Sequence, residues 1–185
     1  MKFQEHARVS LPAERVFELV AERVEDLVPF LPNVASIRTQ AQERRDAFRT
    51  KTRRIWQALP GTLPRAFRPF LRPEMMRWTD ISLWDSSDFS ETWHLETPTG
   101  AKLYTCTGFN AFRPHTDNPE AETMMSFSGE LTLHPEHVRG VPRVIGRRLV
   151  PQVEAFIVSV IQRNFMEVVT ALRRHEELQL QASRL

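Results

Sequence analysis

The residues in this sequence best placed to do chemistry are a cation and a carboxylate on predicted strands. Arg54 alternates with Trp56 at the two-residue spacing of one strand face, and Glu91 alternates with Trp93 in the same way. A cation buried on such a face needs a partner. Arg54 would either anchor a ligand carboxylate or phosphate, or form an internal ion pair with Glu91, and the sequence leaves both alternatives open.

Acid–base catalysis would require one of three groups, which are Glu91, His94 and Tyr104. His94 has the opposite strand parity from Trp93, so only one of them faces the interior, and the indole is the better interior side chain. Cys106 would act as a nucleophile only with a histidine beside it, whereas a buried strand cysteine ordinarily behaves as a small apolar residue. We therefore assign no catalytic residue from the sequence.

Metal and phosphate chemistry have little support in the sequence. His134 and His137 have a suggestive spacing, but the proline between them favours an exposed loop, and no third ligand is evident. The sequence contains no glycine-rich phosphate loop and no G-x-S-x-G motif. We therefore expect neither a metal nor a cofactor.

Aromatic and methionine residues recur along the predicted strands. Trp78 and Phe127 are among those that could line an apolar pocket or, equally, fill a solid core. Tyr104 and Phe109 differ in strand parity, so both face inward only if a β-bulge lies between them, for which Gly108 is the natural position.

A long C-terminal helix is predicted to cover these strands. Apolar residues recur at steps of three and four between about residues 142 and 178, and they predict a helix from Pro151 to Leu178. Val153, Ile157 and Val160 belong to the face that would look inward. Asn164 interrupts the apolar stripe, and it would either bind a ligand or satisfy a strand carbonyl.

The preceding residues predict one strand, one helix and then about six strands. Residues 2–10 alternate as a strand, Pro12 begins a helix and Pro29 ends it, and alternating segments continue to Leu133. Strands with one apolar and one polar face are typical of an antiparallel sheet with one solvated side. At 185 residues we expect a single α+β domain spanning residues 1–185.

Composition limits the partners and the compartment. The net charge of +2 does not indicate a nucleic-acid partner. Residues 38–77 hold eleven Arg or Lys against three acids and residues 80–136 hold two against ten, which indicates pairing across the sheet or an anionic docking surface. A lone cysteine and an N-terminus without a signal-peptide core favour the cytoplasm. We expect no transmembrane segment, because the longest apolar run, residues 155–161, is too short.

Three segments resemble the START / Bet v 1 / polyketide cyclase (SRPBCC) superfamily. They are the helix at residues 11–20 after the first strand, the proline-bounded link at residues 29–34 and the helix at residues 164–174. The resemblance implies a helix-grip fold, in which a curved antiparallel sheet of about seven strands wraps around the long C-terminal helix. It also implies a cavity for an apolar ligand such as a lipid, sterol or polyketide. The superfamily has no shared catalytic motif to transfer.

We therefore expect the chain to bind a hydrophobic, lipid-like or polyketide-like small molecule between the sheet and the C-terminal helix. The alternatives are a cyclase or dehydratase acting on a hydrophobic substrate, and an interaction module that docks through the basic hairpin at residues 44–54 onto an anionic membrane or acidic protein. The candidate ligand-binding residues are Arg54, Trp56, Trp78, Glu91, Trp93, Tyr104, Phe109, Met125, Phe127, Val153, Ile157, Val160 and Asn164.

Overall fold

Seven antiparallel strands form one curved, open sheet, and a 40-residue helix packs against it. The computed structural model describes residues 1–59, 77–96, 104–134 and 143–182. In chain order the elements are β1 (Lys2–Val9), α1 (Ala13–Ala21), a 3-10 helix (Val24–Phe30), β2 (Val34–Arg44), β3 (Arg49–Ala58), β4 (Arg77–Asp85), β5 (Ser90–Glu96), β6 (Tyr104–Pro114), β7 (Thr123–Leu133) and α2 (Arg143–Ala182).

The strand order is β1-β7-β6-β5-β4-β3-β2, so the first and second strands of the chain are the two edges of the sheet. Register shifts in β2, between Val34 and Ser36 and between Thr39 and Ala41, are β-bulges, which bend a strand. α2 packs against β1, β7 and the 3-10 helix. The predicted helix-grip architecture, a curved sheet around a long C-terminal helix, is therefore confirmed.

The two helices differ from their predicted bounds. The first α-helix ends at Ala21, and a 3-10 helix that contains Pro29 takes over its apolar face. α2 begins at Arg143, so Pro151 lies inside it instead of at its start. Proline removes one backbone hydrogen bond from a helix interior, and Pro151 is on the exposed side of α2, where a broken bond can be hydrated.

By length and composition alone, residues Val150–Ala182 of α2 would be able to cross a membrane, with a mean hydropathy of 1.3 over the most apolar window. This helix instead packs on the sheet, and its residues Phe165, Val169 and Leu172 belong to the buried core. The interior of the fold therefore explains part of its apolar stripe, since 22% of that window is buried.

Candidate ligand-binding site

A cavity of about 190 Å³ lies between α2 and the face of β3 to β7 that points toward it, which we call the inner face. All four tryptophans of the chain line this cavity, although they lie on three different strands. Two of them, Trp56 and Trp78, are cross-strand partners whose rings stack at 6.0 Å between centroids. The cavity therefore has walls of indole rings at one end.

A second aromatic stack connects the sheet with α2. The rings of Trp93 and Phe127 lie 5.6 Å apart and nearly parallel, and the ring of Phe165 on α2 lies 5.0 Å beyond Phe127. Offset stacking of this kind stabilises a pair beyond the area that it buries. The stack fixes the distance between the helix and the sheet beside the cavity.

Gly108 makes room for Trp93. A Cβ atom at position 108 would overlap the Trp93 indole and the carbonyl oxygen of Ser128. β6 pairs with β5 and β7 in continuous register here, so Gly108 is not the β-bulge that inward placement of both Tyr104 and Phe109 requires. Phe109 accordingly points to the outer face, where it is 43% exposed.

Arg54 is buried at the C-terminal end of α1. Its Nη1 donates to the carbonyl oxygen of Val20 at 3.1 Å, and its Nη2 donates to the carbonyl oxygen of Ala21. Carbonyls in the last turn of a helix lack partners within the helix, and a cation there also meets the negative end of the helix dipole. Arg54 therefore caps α1, and its Cζ lies 5.5 Å from the ring centroid of Trp84.

Two carboxyl groups, those of Asp80 and Glu91, lie near this guanidinium. Asp80 is the cross-strand partner of Arg54, but among the described residues Arg54 forms no ion pair within 4.0 Å. Glu91 thus acts on Arg54 through its charge, without the direct ion pair that we considered from the sequence. Burial lowers the pKa of Arg54, and the two carboxyl groups oppose that shift.

A chain of hydrogen bonds connects the two carboxyl groups. Ser82 Oγ lies 2.7 Å from Asp80 Oδ1 and 2.6 Å from Glu91 Oε1. Asn110 Nδ2 donates to Glu91 Oε2 at 2.5 Å, and its Oδ1 accepts from the Trp93 indole at 3.1 Å. Because an indole can only donate, the orientation of the Asn110 amide is determined by Trp93.

Both carboxyl groups have raised pKa values. Burial raises the pKa of Glu91 to about 8, and the negative charge of Asp80 adds to this effect. Burial also raises the pKa of Asp80, while the Ser82 hydroxyl and Arg54 act in the opposite direction. A carboxyl group with a pKa of about 8, such as that of Glu91, is mostly protonated at neutral pH, and the charge of Asp80 influences its titration.

Three buried polar atoms that face this cavity have no hydrogen-bond partner within the described part of the chain. They are Arg54 Nε and Trp56 Nε1, which are donors, and Asn164 Oδ1, which is an acceptor. The Trp56 indole lowers the pKa of Asp80 but makes no hydrogen bond of normal geometry with it. Buried groups of this kind are ordinarily satisfied, so their presence in a cavity is typical of a site that receives a polar ligand atom.

The structure brings eight of the thirteen predicted site residues to the cavity, and they are Arg54, Trp56, Trp78, Glu91, Trp93, Met125, Phe127 and Asn164. Phe109 is on the outer face, and half-buried Tyr104 packs against the core without lining the cavity. Val153, Ile157 and Val160 do not line it either. The cavity meets α2 further along the helix, between Ile161 and Val168, because α2 is longer than the cavity that it covers.

The other lining residues were not predicted as site residues, and they are Val20, Val24, Asp80, Trp84, Leu95, Phe112, Ile161, Phe165, Val168 and Asn110. Strand alternation could have identified Asp80, because it has the same parity as Trp78 and Trp84. Asn110 carried no such signal. It lies opposite Glu91 only because β5 and β6 pair in that register.

The other candidate chemical groups lie away from the cavity. His94 is exposed on the outer face, near Glu96. Cys106 is buried, and burial raises the pKa of its thiol to about 12, so it stays protonated. His134 is described, whereas His137, the other histidine of the suggestive spacing, lies outside the described residues.

Solved structures with the same architecture extend over nearly the whole chain. The Zhui aromatase/cyclase from Streptomyces sp. R1128 aligns with a TM-score of 0.64 at 14% identity, over 99% of this chain and 97% of that chain. TTHA0849 from Thermus thermophilus aligns with a TM-score of 0.62 at 19% identity, over 95% and 96% of the two chains. The chain therefore has the helix-grip fold that these solved structures share.

Norcoclaurine synthase from Thalictrum flavum is also similar to this helix-grip chain, with a TM-score of 0.60 at 12% identity over 96% of each chain. No protein-family model matches the sequence, and no curated protein matches it. At these identities the likeness establishes the fold and leaves the ligand to be argued from the cavity itself.

Proposed function

We propose that this helix-grip chain binds a small, largely aromatic or apolar molecule in the cavity between the sheet and α2. The observation that supports the proposal most strongly is the composition of the cavity wall, which combines four indole rings with three buried polar atoms that have no partner within the described residues. Binding sites for small molecules are typically apolar clefts with a few directed polar groups.

The volume limits the size of the ligand. Sites for drug-sized molecules are typically about 300–1,000 Å³. The cavity of about 190 Å³ is smaller, so a molecule with one or two rings suits it better than a sterol or a long lipid. The stacked indoles of Trp56 and Trp78 favour a flat ring.

A direct test is to fill the cavity from α2. Val168→Phe adds volume at a lining position, and Met166→Phe introduces the same side chain on the exposed side of the helix. We expect native mass spectrometry to find a small molecule retained by the wild type and by Met166→Phe, and to find it lost from folded Val168→Phe. Equal retention by all three proteins would contradict the proposal.

A second candidate function is acid-catalysed turnover of the bound molecule, as in a cyclase or dehydratase. One observation favours it, namely that the carboxyl group of Glu91 faces the cavity and has a pKa raised to about 8, which suits a general acid near neutral pH. Some proteins of the same fold are aromatase/cyclases. Glu91 is the only one of the three acid–base groups considered from the sequence that lines the cavity.

The two functions are distinguished by what is extracted from two proteins. If the protein is an enzyme, the compound extracted from the wild type should be the product, whereas the compound extracted from Glu91→Gln should be unreacted substrate of a different mass. A carrier should yield the same compound from both. The same mass from both proteins would therefore exclude Glu91 as a catalytic residue.

Docking through the basic hairpin is a weaker proposal. Several of the hairpin's arginines are already engaged in ion pairs, such as Arg45 with Glu43, Arg49 with Asp46 and Arg53 with Glu96. Docking on an anionic surface would lead to salt-sensitive sedimentation with anionic vesicles.

The buried, reduced Cys106 agrees with a cytoplasmic location for either function.

A further inference from the structure

The position of Ser82 between the Asp80 and Glu91 carboxyl groups indicates that the pair holds one proton. A serine hydroxyl has one hydrogen to donate. Ser82 Oγ lies within hydrogen-bonding distance of both Asp80 Oδ1, at 2.7 Å, and Glu91 Oε1, at 2.6 Å. Whichever carboxyl group accepts from the hydroxyl, the contact with the other is favourable only when that other group itself carries a hydrogen.

The other neighbours of Glu91 agree with this count. Asn110 donates to Glu91 Oε2, since the Trp93 indole occupies the amide oxygen, so Oε1 is the oxygen left to carry the proton. When Glu91 is neutral, the positive charge of Arg54 on β3 and the negative charge of Asp80 on β4 cancel. Glu25 acts at longer range on Arg54, and His94 acts on Asp80.

Among the α2 side chains that the structure describes, those at the cavity are Ile161, Asn164, Phe165 and Val168, and none of them titrates. α1 and the 3-10 helix contribute Val20 and Val24. Because Arg54 is the one cation among the described lining residues, a cation from a ligand would allow both carboxyl groups to ionise at once while the charges stay balanced.

Resting on the proposed function, we propose that the polar end of this cavity binds the ammonium group of an aromatic amine, and that binding releases to solvent the proton shared by Asp80 and Glu91. The O–H bond of Glu91 breaks and its proton leaves. The ligand arrives as an ammonium ion and keeps all its hydrogens, which it donates to the carboxylates and to Asn164 Oδ1. The site therefore has zero net charge before and after binding, and every hydrogen is accounted for.

Three features favour an ammonium group over an acid. The carboxylate oxygens accept hydrogen bonds only, and the unpaired Asn164 Oδ1 also needs a donor, while the two unpaired donors, Arg54 Nε and Trp56 Nε1, gain no partner from an ammonium group. Indole rings attract cations, and Trp84 already packs against the Arg54 guanidinium. A ligand carboxylate would approach Asp80 as a like charge, so the acidic head group suggested by Arg54 alone is disfavoured.

Isothermal titration calorimetry with three matched probes tests this inference. The probes are 2-phenylethylamine, 2-phenylethanol and phenylacetate, each titrated at pH 7.0 in phosphate and in Tris. We expect the amine to bind at least about tenfold more tightly than the alcohol, as a charge-assisted hydrogen bond supports. The difference in heat between the buffers should correspond to about one proton released per amine bound and to none for the alcohol.

Glu91→Gln should bind the amine about tenfold more weakly and without releasing a proton. Glu96→Gln is the matched control, because it makes the same change on the outer face of the same strand, and it should behave as the wild type. An amine that fails to bind, or that binds with no proton release by the wild type, overturns the inference. Binding of the alcohol alone would overturn it while leaving the proposed function intact.

Discussion

On the inner face of the sheet, Arg54 and Glu91 are buried and bonded to protein groups, whereas on the outer face Arg53 and Glu96 form an ion pair in which each side chain is 44% exposed. The two arginines are consecutive residues of β3, and the two glutamates lie on β5. Residues of the same chemical type thus experience opposite environments because strand neighbours point to opposite faces.

Buried charges of this kind contribute to the folded structure, whereas exposed charges mainly keep the surface hydrated. An exposed ion pair gains little, because water screens it and both side chains lose freedom. A buried cation has already lost its hydration, so removing its partners, or removing the cation itself, leaves desolvated groups behind. The inner face tolerates Arg54 since the end of α1 offers it two carbonyl oxygens.

The largest expected effect comes from replacing the buried cation. Arg54→Met leaves the carbonyls of Val20 and Ala21 and the Asp80 carboxylate without their cation, and we expect a loss of about 3 kcal/mol or more in the free energy of unfolding. Arg53→Met, one residue earlier on the outer face, should lose less than about 1 kcal/mol. Urea denaturation measures both. Equal losses would show that the two faces do not differ in this way.

A smaller effect is expected from adding one methyl group at Gly108. Gly108→Ala would push against the Trp93 indole and the Ser128 carbonyl, and we expect a loss of about 1–3 kcal/mol with altered tryptophan fluorescence. Thr107→Ala, on the exposed face of the same strand, is the control and should leave the spectrum unchanged. If Gly108→Ala left both stability and fluorescence unchanged, Trp93 would not lie against β6 as described.

The smallest expected effect is a pH dependence of the free energy of unfolding, and it tests the contrast between buried Glu91 and exposed Glu96. Folded Glu91 keeps its proton up to about pH 8, whereas the unfolded chain loses it near the ordinary value of 4.5. The native state binds more protons in this window, so stability is greatest below it and decreases as the pH rises from about 4.5 to about 8. Asp80, whose pKa is also raised, contributes in the same direction.

Glu91→Gln should reduce that slope by up to about 1 kcal/mol per pH unit, because one titrating proton is removed. Glu96→Gln should leave the slope unchanged. Thermal unfolding followed between pH 5 and pH 8 compares the three proteins. A wild-type stability that rises across this range would contradict a protonated Glu91.

The fold was largely predictable from the sequence because local patterns determine it. Alternation located the strands, and steps of three and four located α2. The end of α1 was not predictable locally, since it depends on Arg54, more than thirty residues later in the chain, reaching the carbonyls of Val20 and Ala21. Proline was a poor guide to helix ends here, because both Pro29 and Pro151 lie inside helices.

The site was predictable only as far as strand parity extends. Parity brought Arg54, Glu91 and Trp93 to one face, but the partnership of Glu91 with Asn110 depends on the pairing register of β5 with β6. The inward placement of both Tyr104 and Phe109 required a bulge at Gly108, whereas the missing side chain of Gly108 accommodates an indole across an unbroken ladder. Registers of this kind are set by tertiary contacts.

The most direct test of the central claim, that this cavity binds a small aromatic molecule, uses the tryptophans that line it. Because all four tryptophans of the chain are at the cavity, a bound ring that accepts their excitation energy should quench nearly all of the intrinsic fluorescence. With 2-naphthol we expect saturable quenching in the wild type and in Met166→Phe, and its loss in folded Val168→Phe. Quenching that persists unchanged in Val168→Phe, or that never saturates in the wild type, would contradict the claim.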